Sequence, residues 1–414
     1  MYDWANSAFA TVILSAVLPV YFVALVPEEG ARIAFAGFSH SFRATALWGY
    51  AVSCSMLIVA VSSPYLGSIA DRLNLHRRFL FACCLVGSLA TALLFFATPG
   101  KYLFAAFLFI VANIGFAGGN VFYNAFLPKL AGIHELDRLS SRGFAYGYIG
   151  GGLALLLVFG MIQGHSFLGF ADKGAASRAG FFLTGLWWLL FALPTYRYVR
   201  IAASPILPDS LHRGIRGYLR IFAEIKKYPA LLLFLIAFLF YNDGIQTIIV
   251  VAAIFAREEL GLSQATILSC FLMIQFVAMP GTLLFGRLAE IFGAKRSIYL
   301  ALFLFILVTI YAYFMNKAWE FWLLGFIIAI ILGGSQAVSR SFFSSLIPEG
   351  KHAEFFGFYA ISAKFASVFG PLVFAVIVDL TGSARLSILA LTFFFVTGML
   401  LLSLVKTAAR PASI

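Results

Sequence analysis

The chain has 414 residues, 62% of them hydrophobic and 11% charged, and carries a formal net charge of +12. Its apolar residues fall in long unbroken blocks, which excludes a water-soluble globular fold. A helix crossing the hydrocarbon layer needs about 20 such residues, because lipid offers no partners and every backbone N–H and C=O must pair within the segment.

Taken in chain order, the blocks predict spans at 6–26, 46–65, 79–97, 102–126, 144–163 and 179–196, then at 230–255, 265–285, 297–315, 319–339, 356–378 and 387–405. The expected fold class is therefore an all-α polytopic membrane protein with twelve transmembrane helices. The first block follows Met1 closely and lacks a basic leader, so span 1 is expected to be retained rather than cleaved. The longest connection is basic and contains Pro205 and Pro208, which predicts a linker at 197–229 between two six-helix bundles, 1–196 and 230–414. Loops on one side hold twenty Lys and Arg residues, including Arg72, Arg77, Arg78, Arg142, Arg296 and Arg340, against eight on the other. The richer side is expected to be cytoplasmic, with both termini inside a bacterial inner membrane. That distribution accounts for the positive charge without nucleic acid.

The four cysteines sit in apolar blocks without metal or disulfide spacing, and the six histidines lie in loops or at span ends. Neither set suggests a cofactor or a metal. No H-E-x-x-H, G-x-S-x-G or G-x-x-x-x-G-K-[ST] string occurs, which disfavours a membrane-embedded enzyme or an ATP-driven pump.

An internal repeat divides the chain. The loop after span 2 reads GSIADRLNLHRR (67–78) and the loop after span 8 reads GRLAEIFGAKR (286–296), so Asp71 corresponds to Glu290, and Arg77 with Arg78 to Lys295 with Arg296. Spans 1 and 7 share a weaker match, YDWANS (2–7) and YNDGIQ (241–246). Six-plus-six parallel repeats with a site near the midplane describe the major facilitator architecture, with its pseudo-twofold axis. Acids and arginines at short turns suit a gate that forms in one state and breaks in the other, which nominates Asp71, Arg72, Arg77, Arg78, Arg142, Glu290, Arg296 and Arg340, with an ordinary positive-inside loop as the alternative for Arg77 and Arg78 and a helix-end role for Arg340.

Ionisable groups within spans are costly and mark function by default. Asp243 and Lys364 are read as a pair that a proton or solute breaks, with a static ion pair, or a lysine that snorkels to the interface, as the alternative. Asp3 and Asn6 open span 1, and Tyr241, Asn242 and Gln246 surround Asp243; solute contact competes there with helix capping. Asn120 and Asn124 in span 4 and Gln336 in span 10 are polar groups suited to a neutral or zwitterionic ligand, with interhelical hydrogen bonding as the alternative. Gly143, Gly147 and Gly151 share one face of span 5 and predict close helix packing.

Longer strings are recognisable: YDWANSAFATVI (2–13), NAFLP (124–128), LSSRGFAYGYIGGGL (139–153), GGSQAVSRSFFSSLIPEG (333–350) and EFFGFYAISAKFASVFGPL (354–372). They resemble the vacuole effluxer family, the autophagy-related vacuolar amino-acid exporters of fungi and their bacterial relatives. The resemblance implies a major facilitator fold and export of neutral amino acids such as leucine, isoleucine or tyrosine. A short N-terminus and a compact central loop depart from the family pattern. The expected function is a secondary active transporter, working as a monomer, for proton-coupled efflux of a small neutral or zwitterionic solute. A lipid flippase or scramblase on the same fold is the alternative.

Overall fold

A computed structural model describes residues 1–35, 38–124, 126, 133–198, 223–347, 355, 359, 362, 363 and 365–406; side chains are excluded at 34, 35, 38, 39, 64, 68, 71, 72, 133–142, 144 and 145. The first helix, α1, spans Tyr2–Leu25 and widens into a π-helix over Phe9–Ala16, where Ser15 Oγ donates to the Ala10 carbonyl at 2.7 Å. A two-stranded antiparallel hairpin follows, β1 (Ala31–Phe35) and β2 (Phe38–Phe42), with Ala31 paired to Phe42 and Ile33 to His40. Five helices complete the first six: α2 (Ala44–Leu73), α3 (His76–Leu93), α4 (Tyr102–Asn124), α5 (Ile133–Gln163) and α6 (Lys173–Tyr198). The second six are α7 (Pro229–Glu258), α8 (Gln264–Phe292), α9 (Ala294–Phe314), α10 (Ala318–Leu346), α11 (Phe369–Thr381) and α12 (Ala384–Leu404).

Among the described residues, eleven helices are long and apolar enough to cross a membrane, and α11 supplies the C-terminal part of the span expected at 356–378. The chain is thus a helical, multi-pass membrane protein. Outward-facing residues such as Leu57, Val61, Phe107, Phe276, Leu283, Phe393 and Leu400 are large, apolar and exposed, as a lipid-facing wall requires. Helices α2, α8 and α10 run past the expected ends at 65, 285 and 339 to Leu73, Phe292 and Leu346. Hydropathy marks the hydrocarbon thickness, whereas the backbone stays helical into the polar interface.

Helix ends follow from local chemistry. Pro229 occupies the first turn of α7, where its missing N–H has no intrahelical acceptor to lose. Ser263 and Ser383 cap α8 and α12 through hydrogen bonds from Thr266 N–H (3.1 Å) and Leu386 N–H (3.3 Å). Helices α2 and α8, which carry the duplicated loop, both stop at a residue with positive φ, Asn74 (φ 51°, left-handed) and Gly293 (φ 89°, ψ 148°).

We call the side where α1 starts and α12 ends the terminal face, and the other the hairpin face. One hydrophobic core runs through α1–α6 and into the hairpin-face ends of the second six, through residues such as Val250, Phe255, Phe271, Leu324, Phe374 and Ile388. A second core, including Phe234, Phe305, Phe342 and Phe395, belongs to the second six alone. The two sets of helices therefore share a core toward the hairpin face.

Candidate functional site

A cavity of about 180 Å³ lies between the two sets of six helices. Its first wall carries Leu14 of α1, Val52 and Met56 of α2, and Asn113 and Phe116 of α4. Facing these are Asn242 and Gln246 of α7, Gln336 and Arg340 of α10, and Tyr359 and Ser367 before α11. Asn242 with Gln246, and Gln336 with Arg340, are each four residues apart, so each pair sits on one face of its helix. The structure thus brings together four residues nominated from sequence, and Arg340, expected at a gate, lines the cavity. Asn113, also polar, donates to Ser55 Oγ at 2.7 Å, while its buried Oδ1 has no partner among the described residues.

Other nominated residues tie helices together. Tyr123 O–H donates to Asp3 Oδ2, and Asn6 Nδ2 donates to Asn120 Oδ1 at 2.7 Å, joining α1 to α4. Tyr241 O–H donates to Ser339 Oγ at 2.7 Å, joining α7 to α10 in the same way. Both ties join the first helix of a six to its fourth, but the aligned residues differ: Tyr241 matches Tyr2, whose hydroxyl has no partner among the described residues. Asn124 is exposed at the end of α4.

Asp243 is completely buried, yet it points toward α11 and is absent from the cavity wall. Its Oδ1 accepts the Gly370 N–H at 2.8 Å, and its Oδ2 has no partner among the described residues. Gly370 lies in the first turn of α11, where backbone donors lack intrahelical acceptors and the helix dipole favours an acid. Lys364, and with it the expected pair to Asp243, lies outside the described residues.

The duplicated loop has the same use in both halves. Arg77 donates to the Tyr196 carbonyl at the end of α6, while Lys295 Nζ donates to the carbonyls of Val405 (2.7 Å) and Ser403 (3.2 Å) at the end of α12. Each cation holds the carbonyl-rich C-terminus of the last helix in its own six. Arg78, Glu290 and Arg296 are exposed on the terminal face. The side chains of Asp71, Arg72 and Arg142 lie outside the described residues.

The glycine face of α5 packs as its spacing predicts. A Cβ at Gly143 would lie 2.5 Å from Asp3 Oδ2, one at Gly147 2.7 Å from Ser7 Oγ, and one at Gly151 2.5 Å from Thr11 Oγ1. Residues 3, 7 and 11 of α1 therefore seat against residues 143, 147 and 151 of α5, four apart on both helices.

Sequence reasoning missed the polar contacts on the hairpin face. Arg43, just before α2, bonds Glu258 Oε1 through Nε at 2.9 Å and reaches Glu259 Oε1 through Nη1 at 3.3 Å. Thr45 N–H donates to Glu258 Oε2 at 2.9 Å, His40 Nε2 lies 2.8 Å from Asp379 Oδ1, and Trp48 Nε1 donates to the Val250 carbonyl at 2.8 Å. All five contacts join the first six helices and their hairpin to the second six. Adjacent acids at the end of an apolar block were the available signal.

Residues 1–410 match the family model described as "Vacuole effluxer Atg22 like". The chain is 35% identical to the uncharacterized MFS-type transporter YxiO of Bacillus subtilis (strain 168) over 98% of this chain and 93% of that one. It is 27% identical to autophagy-related protein 22 of Coccidioides immitis (strain RS), covering 81% and 68%. Among solved structures, a D-xylose-proton symporter superposes with a TM-score of 0.70 at 14% identity, covering 98% and 94%. An inward-facing bacterial homologue of the human lysosomal transporter Spinster gives 0.66 at 15%, again over 98% and 94%. These likenesses show the major facilitator fold. The chain belongs to the Atg22-like vacuole effluxer family and is a transporter of the major facilitator class.

Proposed function

We propose that the chain is a secondary transporter exporting a small zwitterionic or neutral solute, by likeness to its family an amino acid, by alternating access. The observation that carries this reading is the cavity between the two bundles, with amide groups on both walls and a guanidinium on one. Asn and Gln side chains offer both donors and acceptors, and Arg340 is suited to a carboxylate. A volume of about 180 Å³ falls below the roughly 300–1,000 Å³ of drug-sized pockets. It suits a solute of amino-acid size.

In this reading the bundles 1–196 and 230–414 rock about the cavity across the 197–229 linker, with both termini cytoplasmic. Asp243 serves as the coupling residue: a buried carboxyl with one bonded and one unbonded oxygen has a place for a proton, and its bonded oxygen holds α11, part of the cavity wall. The test is efflux from liposomes containing the purified protein, loaded in turn with labelled neutral amino acids under an imposed proton gradient. Concentrative, gradient-dependent movement that falls in Gln336→Ala and disappears in Asp243→Asn is expected. Movement of labelled lipid without movement of any amino acid would overturn the reading.

A further inference from the structure

We infer that Arg43 and Glu258 form the releasable latch of the hairpin face, and that Glu259 with Arg385 is the fixed post on which it closes. This rests on the alternating-access reading. The two glutamates are adjacent at the end of α7, yet their carboxylates serve different halves. Glu258 gives one oxygen to Arg43 Nε and the other to the Thr45 N–H, at 2.9 Å each. It thereby caps the first turn of α2, a helix whose own N-cap residue, Arg43, makes no side-chain cap bond. Every partner of Glu258 in this set belongs to the first half.

Glu259 is anchored differently. Its Oε1 accepts the Ala384 N–H at 3.1 Å at the start of α12, and its Oε2 lies 3.8 Å from Arg385 Nε. Arg385 in turn donates to the carbonyls of Tyr313 (2.9 Å) and Met315 (2.6 Å) and to Asn316 Oδ1 (2.9 Å). All these groups lie in the second half and keep their partners when the halves part. From the first half, one guanidinium reaches across, bonding Glu258, approaching Glu259 and donating to the Gly382 carbonyl.

Burial suits a contact that must open and close. The Arg43 side chain is 38% exposed and that of Glu258 15%, so water can rehydrate both ions once they separate, whereas a dry pair would be much harder to break. Beneath the pair the seal is apolar and close. A Cβ at Gly49 would lie 2.8 Å from the Pro371 carbonyl oxygen and 2.9 Å from Ala375 Cβ, so α2 and α11 touch almost backbone to backbone. The latch holds that seal shut at its rim.

The test measures the spacing between spin labels at positions 101 and 381, exposed sites in the two halves on the hairpin face, in a cysteine-free background. Arg43→Ala should raise the population with the wide spacing by about fivefold, Glu258→Gln should raise it by less because Arg43 keeps Glu259 and the Gly382 carbonyl, and the double variant should do little more than Arg43→Ala alone. Arg43→Lys, which keeps the charge and loses the fork, should fall between. Arg385→Gln, which cuts only contacts within the second half, should leave the distribution unchanged. Each variant is compared only as folded, monodisperse protein. Two spacings in the wild type that Arg43→Ala and Glu258→Gln leave unmoved would overturn the latch while sparing alternating access. A single spacing under every solute and gradient, in wild type and variants alike, would overturn both.

Discussion

Gly370→Ala tests the anchoring of α11, because one methyl group collides with its tie to α7. A Cβ there lies 1.9 Å from Thr247 Oγ1, 2.8 Å from Asp243 Oδ1 and 2.9 Å from the Asp243 carbonyl oxygen. The first obstacle is a hydroxyl that can rotate, but the last is backbone, so α11 must move outward. The 2.8 Å bond from Gly370 N–H to Asp243 Oδ1 is then stretched or lost. Overpacking costs about 1–3 kcal/mol. Leaving the second oxygen of a buried carboxyl without a donor adds about 1–3 kcal/mol, for a total of about 2–6 kcal/mol. Thr247→Ala removes the nearest obstacle together with its 2.7 Å back-bond to the Asp243 carbonyl within α7, a bond worth little to the helix. The double variant should therefore regain about 1 kcal/mol of the Gly370→Ala loss. Unfolding of wild type, both singles and the double by SDS in mixed micelles, followed by tryptophan fluorescence, gives the four values. Strict additivity, or a Gly370→Ala loss within about 0.5 kcal/mol of zero, would refute the anchoring of α11 through Asp243.

Tyr241→Phe and Ser339→Ala each remove the same buried bond between α7 and α10, so each should lower stability by about 0.6 kcal/mol and the pair together by no more than one alone, in the same titration. Gly147→Leu should push α1 off α5 and lower stability by about 1–3 kcal/mol. Gly160→Leu, on the same helix with open space around it, should be neutral, and the folded yield from size exclusion separates the two. Lys295→Met should loosen the end of α12 by about 0.3–1 kcal/mol, read as faster hydrogen exchange near Ser403 and Val405. Asp71→Ala and Glu290→Ala should slow flux more than they weaken solute binding; equal losses in the two assays would assign these acids to the binding site or to folding.

The spans were legible because transfer into lipid depends on composition over a window, and composition is local. The glycine face of α5 was legible for a similar reason: a repeat of four fixes a helical face without knowledge of the partner. What occupies that face, Asp3, Ser7 and Thr11, was not, since no local rule links residue 7 to residue 147. The same limit explains Arg43, which reads as an ordinary loop cation until the fold brings residue 258 beside it. Asp243 shows a subtler limit. Hydropathy flags it as costly, but the neighbouring Asn242 and Gln246 line the cavity while Asp243 points away, a difference of one residue in helical phase. The β-hairpin at 31–42 was passed over because it lies between apolar blocks, where no span was sought.

The widened π turns of α1 make the length of the chain there, as much as its chemistry, part of the design. Each residue between 9 and 16 turns the backbone less than an α-helical residue would, and that deficit sets how the beginning of α1 is aimed relative to its end. Removing one residue with the winding otherwise unchanged would swing Asp3, Asn6 and Ser7 by somewhat less than about 100° relative to Leu18 and Phe22. The asparagine tie to α4 and the seating on the α5 glycines would be lost together, although composition had hardly changed. Divergent copies of this chain should therefore differ in the letters of this segment and hardly ever in their number.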